Sequence, residues 1–260
     1  MKEISFEDSK QVRLEIMLAI DKFCREHNLR YYLAFGTLLG AVRHHGFIPW
    51  DDDMDILMPR PDFERFIESF KVTPLYRVIT NQDDEGNYYG FARVVNTETE
   101  AYLGKRKIPG INVEIYPIDG APSDDSMFER FVEKLYAYRK RETLLIRIIS
   151  GLTRRNLWPF RSLNPPMYKH FCKKYKTFGS QYSYNKSDSV IVAFGNPYKL
   201  NRLPMEWFSS SIELEFEGFK FYAPIGYDAF LESVYTDYMQ LPPVEKRVPA
   251  HGFTYYWNSK

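Results

Sequence analysis

Apolar residues recur at Val12, Ile16, Ile20 and Phe23, a spacing that lines one face of an α-helix. Ser5, with Asp8 three residues on, reads as a capping box, so this helix is expected to run to about Asn28. The aromatic-rich run "LRYYLAFG" then reads as a strand, and "TLLGAVRHH" as a short helix with Thr37 at its start. "DMDILM" is the next strand. Pro61 opens another helix, with Phe63, Phe66, Ile67 and Phe70 on one face. "YRVIT", "FARVVN" and "INVEIYPI" are three further strand candidates between Gly/Asn/Asp loops.

From about Pro122 the pattern changes. "SMFERFVEKLYAYRKRETLLIRIISGL" is a long helical stretch with Phe128, Phe131, Val132 and Leu135 in register. It turns basic, with Arg139, Lys140, Arg141, Arg147, Arg154, Arg155 and Arg161 against Glu142 alone. Such a face either packs exposed against the core or meets anionic lipid headgroups or a lipid-linked anionic acceptor. After Ser180 come the short strand "VIVAF", a hairpin "IELEFEGFKFYA", a last helix "GYDAFLESVY" and a Pro-rich tail. The expected organisation is a core over 1–120, a helical insertion over 121–180 and a C-terminal α/β segment over 181–260 that completes the site.

Composition narrows the class. Of 260 residues, 44% are hydrophobic and 27% charged, which supports a packed core and excludes a disordered chain. A net charge of +1 gives no global attraction to nucleic acid, so no nucleic-acid partner is expected. Cys24 and Cys172 lack CxxC spacing, which argues against a disulfide scaffold or zinc site and fits a reducing compartment. The N-terminal "MKEISFEDSK" has no apolar signal core, and no run of about 18 apolar residues spans a membrane. A cytoplasmic location is therefore expected, with peripheral contact at the inner membrane face through the basic stretch.

One segment carries an evident electrostatic cost. "GFIPWDDDMDILMP" places Asp51, Asp52, Asp53 and Asp55 within five residues, beside an apolar run. At ~4 Å and an effective dielectric of about 20, each like-charge pair costs roughly 4 kcal/mol before screening. On a strand, Asp53 and Asp55 project to one face roughly 6.6 Å apart, with Asp51 continuing the row and Met54 and Ile56 facing the core. A hard divalent cation, Mg²⁺ or Mn²⁺, takes oxygen ligands and would cancel the repulsion; an acidic surface turn without a ligand is the alternative. An EF-hand loop is excluded, because counting from Asp51 its Gly and Glu positions hold Ile56 and Asp62.

Gly36-Thr37 falls between a strand and a helix, where backbone N–H groups hold phosphate or where an ordinary cap sits. Arg43, two turns on, could add a charge-assisted contact. Glu114 lies between Val113 and Ile115, costly to bury unless its face is a site, unremarkable on an edge strand. The adjacent His44 and His45 receive no catalytic role. Together, a Gly-Thr turn, Asp-x-Asp on a strand and an acid on a later strand resemble the nucleotidyltransferase fold: α+β, a mixed sheet flanked by helices, here with a helical insertion.

The longer string "YYLAFGTLLGAVRHHGFIPWDDDMDILMPRPDFERF", with "NVEIYPID" and "DYMQLPPVEKRVPAH", resembles the LicD family, whose members transfer phosphocholine from CDP-choline to cell-surface sugars and are similar to fukutin-type pentitol-phosphate transferases. The resemblance implies a Mg²⁺-dependent phosphotransferase acting on a glycan or lipid-linked glycan precursor of the teichoic acid or lipopolysaccharide type. It assigns metal binding to Asp53, Asp55 and Glu114, with Asp51 as an extra ligand or base. It assigns diphosphate binding to Gly36, Thr37 and Arg43, with Lys246 and Arg247 returning from the tail. Ala250 stands where the family often has the first of two histidines, so no role is carried over for that position. A choline head group would need aromatic faces within ~6 Å, for which Trp50, Tyr88, Tyr89 and Tyr116 are candidates. The alternatives are transfer of another activated alcohol, such as CDP-ribitol, a D-x-D glycosyltransferase, and a non-catalytic glycan- or nucleotide-binding protein.

Overall fold

The computed structural model describes residues 2–71, 73–80, 90–104, 106–154, 164–193, 200–249 and 251–258. In chain order the elements are β1 (Lys2–Ile4), α1 (Phe6–Glu26), β2 (Tyr32–Leu33), α2 (Phe35–His44), β3 (Asp55–Pro59), α3 (Arg60–Ser69), β4 (Tyr76–Ile79), β5 (Ala92–Asn96), β6 (Thr99–Leu103), β7 (Arg106–Ile108), β8 (Asn112–Ala121), α4 (Asp125–Arg154) and α5 (Asn164–Gly179). They continue with β9 (Ser189–Ile191), β10 (Leu203–Pro204), β11 (Ser211–Phe216), β12 (Phe219–Pro224), α6 (Tyr227–Tyr235) and β13 (Thr254–Trp257).

Ser5 caps α1 as its sequence dictates. Its hydroxyl accepts the Asp8 N–H at 3.0 Å and donates to the Asp8 carboxylate at 2.7 Å. The helix ends at Glu26, two residues before the expected Asn28. Val12, Ile16, Ile20 and Phe23 are all buried, and α1 lies against β5 and β8.

Strand β8 is the axis of the main sheet. It runs parallel to β3 on one side, with Asp55 opposite Glu114. On the other side β5 pairs antiparallel with its first half and β9 with its second. β2 extends the sheet beyond β3, β4 beyond β5 and β10 beyond β9. The architecture is the expected α+β, nucleotidyltransferase-like mixed sheet, with α2 and α3 packed against β3. All five residues of β3 are buried, so Asp55 sits in the interior rather than on a surface turn.

Two element boundaries differ from the sequence reading. The strand expected over 53–58 starts at Asp55, and the helix expected at Thr37 starts two residues earlier, at Phe35. Phe35 adopts φ 44°, so the chain turns sharply there before the helix begins. The hairpin appears as expected, with Glu217 and Gly218 both at positive φ in its turn, the conformation that suits a two-residue hairpin loop.

A second sheet, in the order β1-β13-β6-β7, joins the two ends of the described chain, with Lys2 opposite Trp257. The tail after α6 thus returns to the N-terminal strand. Helices α4 and α5 pack on each other around Phe131, Leu135 and Tyr175, which join Ala121, Ile191 and Ala193 in a smaller apolar cluster. Lys176 ties α5 to the core by meeting Glu64 of α3 at 2.9 Å, and α3 is in turn held to β8 by the bidentate pair of Arg60 with the fully buried Asp119. Arg139 is not part of an open basic face, since it donates to the Ala193 carbonyl at 2.8 Å and to the Tyr175 hydroxyl at 3.2 Å. Lys140 and Arg141 are exposed. The side chains of Arg147, Arg154, Arg155 and Arg161 lie outside the described residues. No described helix is long and apolar enough to cross a membrane.

Candidate active site

The parallel pair β3 and β8 brings Asp55 and Glu114 side by side near the N-terminal ends of both strands. The loop before β3 folds back over α2. The Gly46 N–H reaches the Gly40 carbonyl at 3.3 Å, the Asp51 N–H reaches the Ile48 carbonyl at 2.9 Å, and the Lys10 ammonium of α1 holds the Pro49 carbonyl at 3.0 Å. This fold-back carries Asp51 onto the start of α2. A Cβ placed on Gly36 would stand 2.4 Å from the Asp51 carboxylate, closer than real contacts allow. Glycine is needed there because the carboxylate occupies the space.

Thr37 has a different task from a cap. Its hydroxyl, buried with the residue, accepts the Asp55 N–H at 2.8 Å. The Asp55 carbonyl in turn accepts the Ala34 N–H at 3.1 Å. The first turn of α2 and the first residue of β3 are therefore locked together. The hydroxyl assigned to the diphosphate also positions an aspartate, through its oxygen.

The carboxylates divide into two groups. Asp51 and Asp53 lie close enough to influence each other's protonation. Burial, then the charges of Asp51 and Glu114, push the Asp53 carboxyl up to about 7. Burial, followed by Asp53, Glu114 and Asp51, raises Asp55 well above the carboxylate range. Burial also raises Asp51. Asp52 behaves in the opposite way. Burial would raise it, but the hydrogen bond and charge of His251 hold it below its ordinary value. Its two oxygens take the His251 ring Nδ1 at 2.8 Å and the His251 backbone N–H at 3.1 Å.

Glu114 is already held. Both Arg93 Nε and Nη2 donate to its Oε1, at 2.8 and 2.7 Å, and the Tyr116 hydroxyl donates to Oε2. Arg93 lies over the Phe91 ring, and Tyr116 packs between Phe35 and Phe91. The edge-strand alternative for Glu114 fails, because β8 is paired on both sides at this position.

A divalent cation fits these groups. Asp55 Oδ1 is buried and has no hydrogen-bond partner. An unpaired buried oxygen of this kind costs about 1–3 kcal/mol, more if charged. Asp51, Asp53 and Asp55 ionise together only at high cost, and two positive charges between them would remove it. Among the described residues, the donors that lie within 4.8 Å of one another are those of Asp52, Asp53 and His251, a set compatible with a divalent metal. In that set Asp52 is already engaged by His251, so the unpaired oxygen of Asp55 favours the Asp53–Asp55 side.

The guanidinium groups expected at a diphosphate also hold the tail, Arg247 donating to the Pro242 carbonyl at 2.9 Å. Arg43 donates to the Tyr238 and Gln240 carbonyls at 2.6 and 3.3 Å, tying α2 to the tail after α6. Burial lowers its pKa, Tyr235 opposes this, and the charge of Arg247 lowers it further, which puts the two guanidinium groups near each other. Arg247 lies 5.5 Å above the Trp50 ring and Lys246 is exposed. Of the aromatic candidates, Trp50 thus already faces a cation and Tyr116 is committed to Glu114; Tyr88 and Tyr89 lie outside the described residues. Asp52 received no role of its own from the sequence, and neither His251 nor Arg93 was singled out. The only signals were the second aspartate of the run and a histidine in the tail, and the two lie 199 residues apart.

Residues 28–144 match the family model described as LicD/FKTN/FKRP, nucleotidyltransferase domain. The chain is similar to the lipopolysaccharide cholinephosphotransferase LicD of Haemophilus influenzae, with 27% identity over 96% of this chain and 97% of that protein. Shorter similarities reach uncharacterized proteins of Rickettsia typhi, 36% identical over 27% of this chain and 24% of that protein, and Rickettsia prowazekii, 48% identical over 16% of each.

Proposed function

We propose, for a chain whose residues 28–144 belong to the LicD family of nucleotidyltransferase domains, that it is a Mg²⁺-dependent phosphotransferase. It moves phosphocholine from CDP-choline to a sugar hydroxyl of a glycan precursor and releases CMP. The similarity to a lipopolysaccharide cholinephosphotransferase over nearly the whole chain supports the transferase class. The unpaired buried oxygen of Asp55, inside a set of carboxylates that repel one another, is the observation that carries the reading.

In the reaction the acceptor oxygen attacks the choline-side phosphorus. A new P–O bond forms, the bond to the bridging oxygen breaks, and the electron pair leaves with CMP. Asp53 and Asp55, with Asp51 beside them, would hold the cation, which when bound supplies charge neutralisation at the diphosphate. Thr37 keeps Asp55 in place through its backbone, and Gly36 leaves room for Asp51. Asp51 is the better candidate to accept the proton of the acceptor hydroxyl, because both oxygens of Glu114 are engaged by Arg93 and Tyr116. Glu114 then serves as the third acid beside Asp55. Arg43 and Arg247 are the cations available to the donor's phosphates. The acceptor is a glycan or a lipid-linked glycan, met in the cytoplasm or at the inner membrane face.

The test is a panel of CDP-alcohols incubated with the protein and Mg²⁺, with and without glycan extract, and read as CMP release. CMP from CDP-choline that vanishes with EDTA is the expected result. Release from CDP-ribitol but not CDP-choline would move the assignment to another activated alcohol. Formation of a nucleoside diphosphate from a sugar nucleotide would overturn phosphotransfer in favour of glycosyl transfer.

A further inference from the structure

Arg93 of β5 stands opposite Glu114 of β8, and Glu114 stands opposite Asp55 of β3. Residues directly opposite on neighbouring strands project to one face of a sheet. That face therefore carries a row of guanidinium, carboxylate and carboxylate, with Glu114 in the middle. The row ends on Asp55, whose Oδ1 is buried without a hydrogen-bond partner. Neither Arg93 nor Glu114 is open to bulk water, their side chains being 13% and 18% exposed.

Arg93 holds Glu114 asymmetrically. Its Nε and Nη2 both donate to Oε1, at 2.8 and 2.7 Å, rather than one to each oxygen. Among the described residues, Oε2 accepts from the Tyr116 hydroxyl alone. A carboxylate offers about four lone-pair positions, two on each oxygen. Both on Oε1 are thus filled, and one on Oε2 remains. The donors are themselves packed in place. The Arg93 guanidinium lies 4.9 Å over the Phe91 ring, and the Tyr116 ring sits between Phe91 at 4.4 Å and Phe35 at 5.6 Å. Phe35 opens α2 with φ 44°, so this clamp joins β5 and β8 to the turn whose Thr37 holds the Asp55 N–H.

We propose that Arg93 is a positioning residue for the cation site: it closes Oε1 of Glu114 and leaves Oε2 as the one oxygen this side chain presents to a divalent ion beside Asp55. A planar guanidinium suits the task, because its fixed fork sets the rotation of the carboxylate, which a single ammonium on a flexible stem does not. Partners that orient a metal-binding carboxylate typically change metal affinity or activity by about 10–100-fold when removed. The expected effect runs against charge. A positive group beside a cation site repels the ion. Loss of the Arg93 charge would by itself tighten cation binding, whereas loss of the orientation weakens it. A bystander charge and a positioning group therefore predict opposite signs.

The inference rests on the reading of these acids as a cation site, and a titration that needs no turnover keeps the two failures apart. Wild type, Arg93→Gln and Arg93→Lys are titrated calorimetrically with MnCl₂ and with MgCl₂, without nucleotide or acceptor. Arg93→Gln is expected to bind either ion about 10–100-fold more weakly, although the site has lost a repelling charge. Arg93→Lys keeps the charge and one hydrogen bond, and is expected to fall between the two. Asp55→Asn is expected to abolish the same binding heat; full Mn²⁺ binding by that variant would put the ion elsewhere and overturn the proposal. A merely structural role would lower the melting temperature and leave ion affinity unmoved. Equal or tighter binding by Arg93→Gln would overturn the proposal. Should Arg93→Gln fail to fold, Arg93→Lys decides, and an affinity indistinguishable from wild type overturns it. Wild type that binds neither ion would instead overturn the cation site itself. Wild type that binds both ions but turns over no CDP-alcohol would overturn phosphotransfer, while the titration would still decide the role of Arg93.

Discussion

Asp53→Asn should make the metal-free protein more stable while abolishing its response to Mg²⁺. The variant keeps the side chain's shape and removes one ionisable group from the cluster. In the folded protein the Asp53 carboxyl titrates near 7, against 3.8 in the absence of its surroundings. Between those two values the unfolded chain has lost the proton and the folded protein still holds it. Raising the pH through that window therefore favours unfolding, and the loss is complete above the folded value. At about 1.36 kcal/mol per pH unit the gap corresponds to roughly 4 kcal/mol. The Asp53 side chain is 31% exposed, so water screens part of this, and about 2 kcal/mol is a reasonable expectation. For a chain of this size that is about 4–8 °C in melting temperature. Melts in EDTA should place Asp53→Asn above wild type by that amount at pH 8 and by less at pH 5. Added Mg²⁺ should raise wild type and leave the variant nearly unmoved, by the linkage of binding to folding. A variant that melts below wild type in EDTA at pH 8, or a difference that does not grow with pH, would refute the mutual repulsion on which the metal site is argued.

Gly36→Ala drives a methyl group into the Asp51 carboxylate, so CMP release should fall on the order of a hundredfold through misplacement of that group, while the melting temperature changes little. A near-normal rate would show that Asp51 is not needed where it sits. Arg60→Met leaves Asp119, which has no exposure, without its bidentate partner. Urea denaturation should show a loss of about 3–5 kcal/mol, largely recovered in the double variant Arg60→Met with Asp119→Leu.

Much of the fold could be read from local pattern. The Ser5 cap, the buried stripe of α1, the 211–224 hairpin and a strand within 112–121 all follow from residues within a few positions of each other. Strands β1, β6, β7, β10 and β13 were missed because they are short and take their stability from distant partners. Tyr256 opposite Glu3 and Glu100 is a pairing with no local signature. The start of α2 was misjudged for a related reason. Phe35 holds a positive φ that no propensity favours, and only the packing of the turn against the first residue of β3 maintains it.

The carboxylate row was visible because like charges adjacent in sequence have no local benefit and so point to a ligand or a partner. What each member does was not visible. Asp52 turned to His251, Glu114 to Arg93 on another strand and to Tyr116 two residues on, and the Thr37 hydroxyl to the Asp55 N–H. Chain chemistry by itself pointed to an acidic cluster between Gly36 and Glu114 as a candidate cation centre. The tertiary structure alone decided which acids remain unpaired, because a carboxylate's charge state depends on burial and on neighbours delivered by other strands.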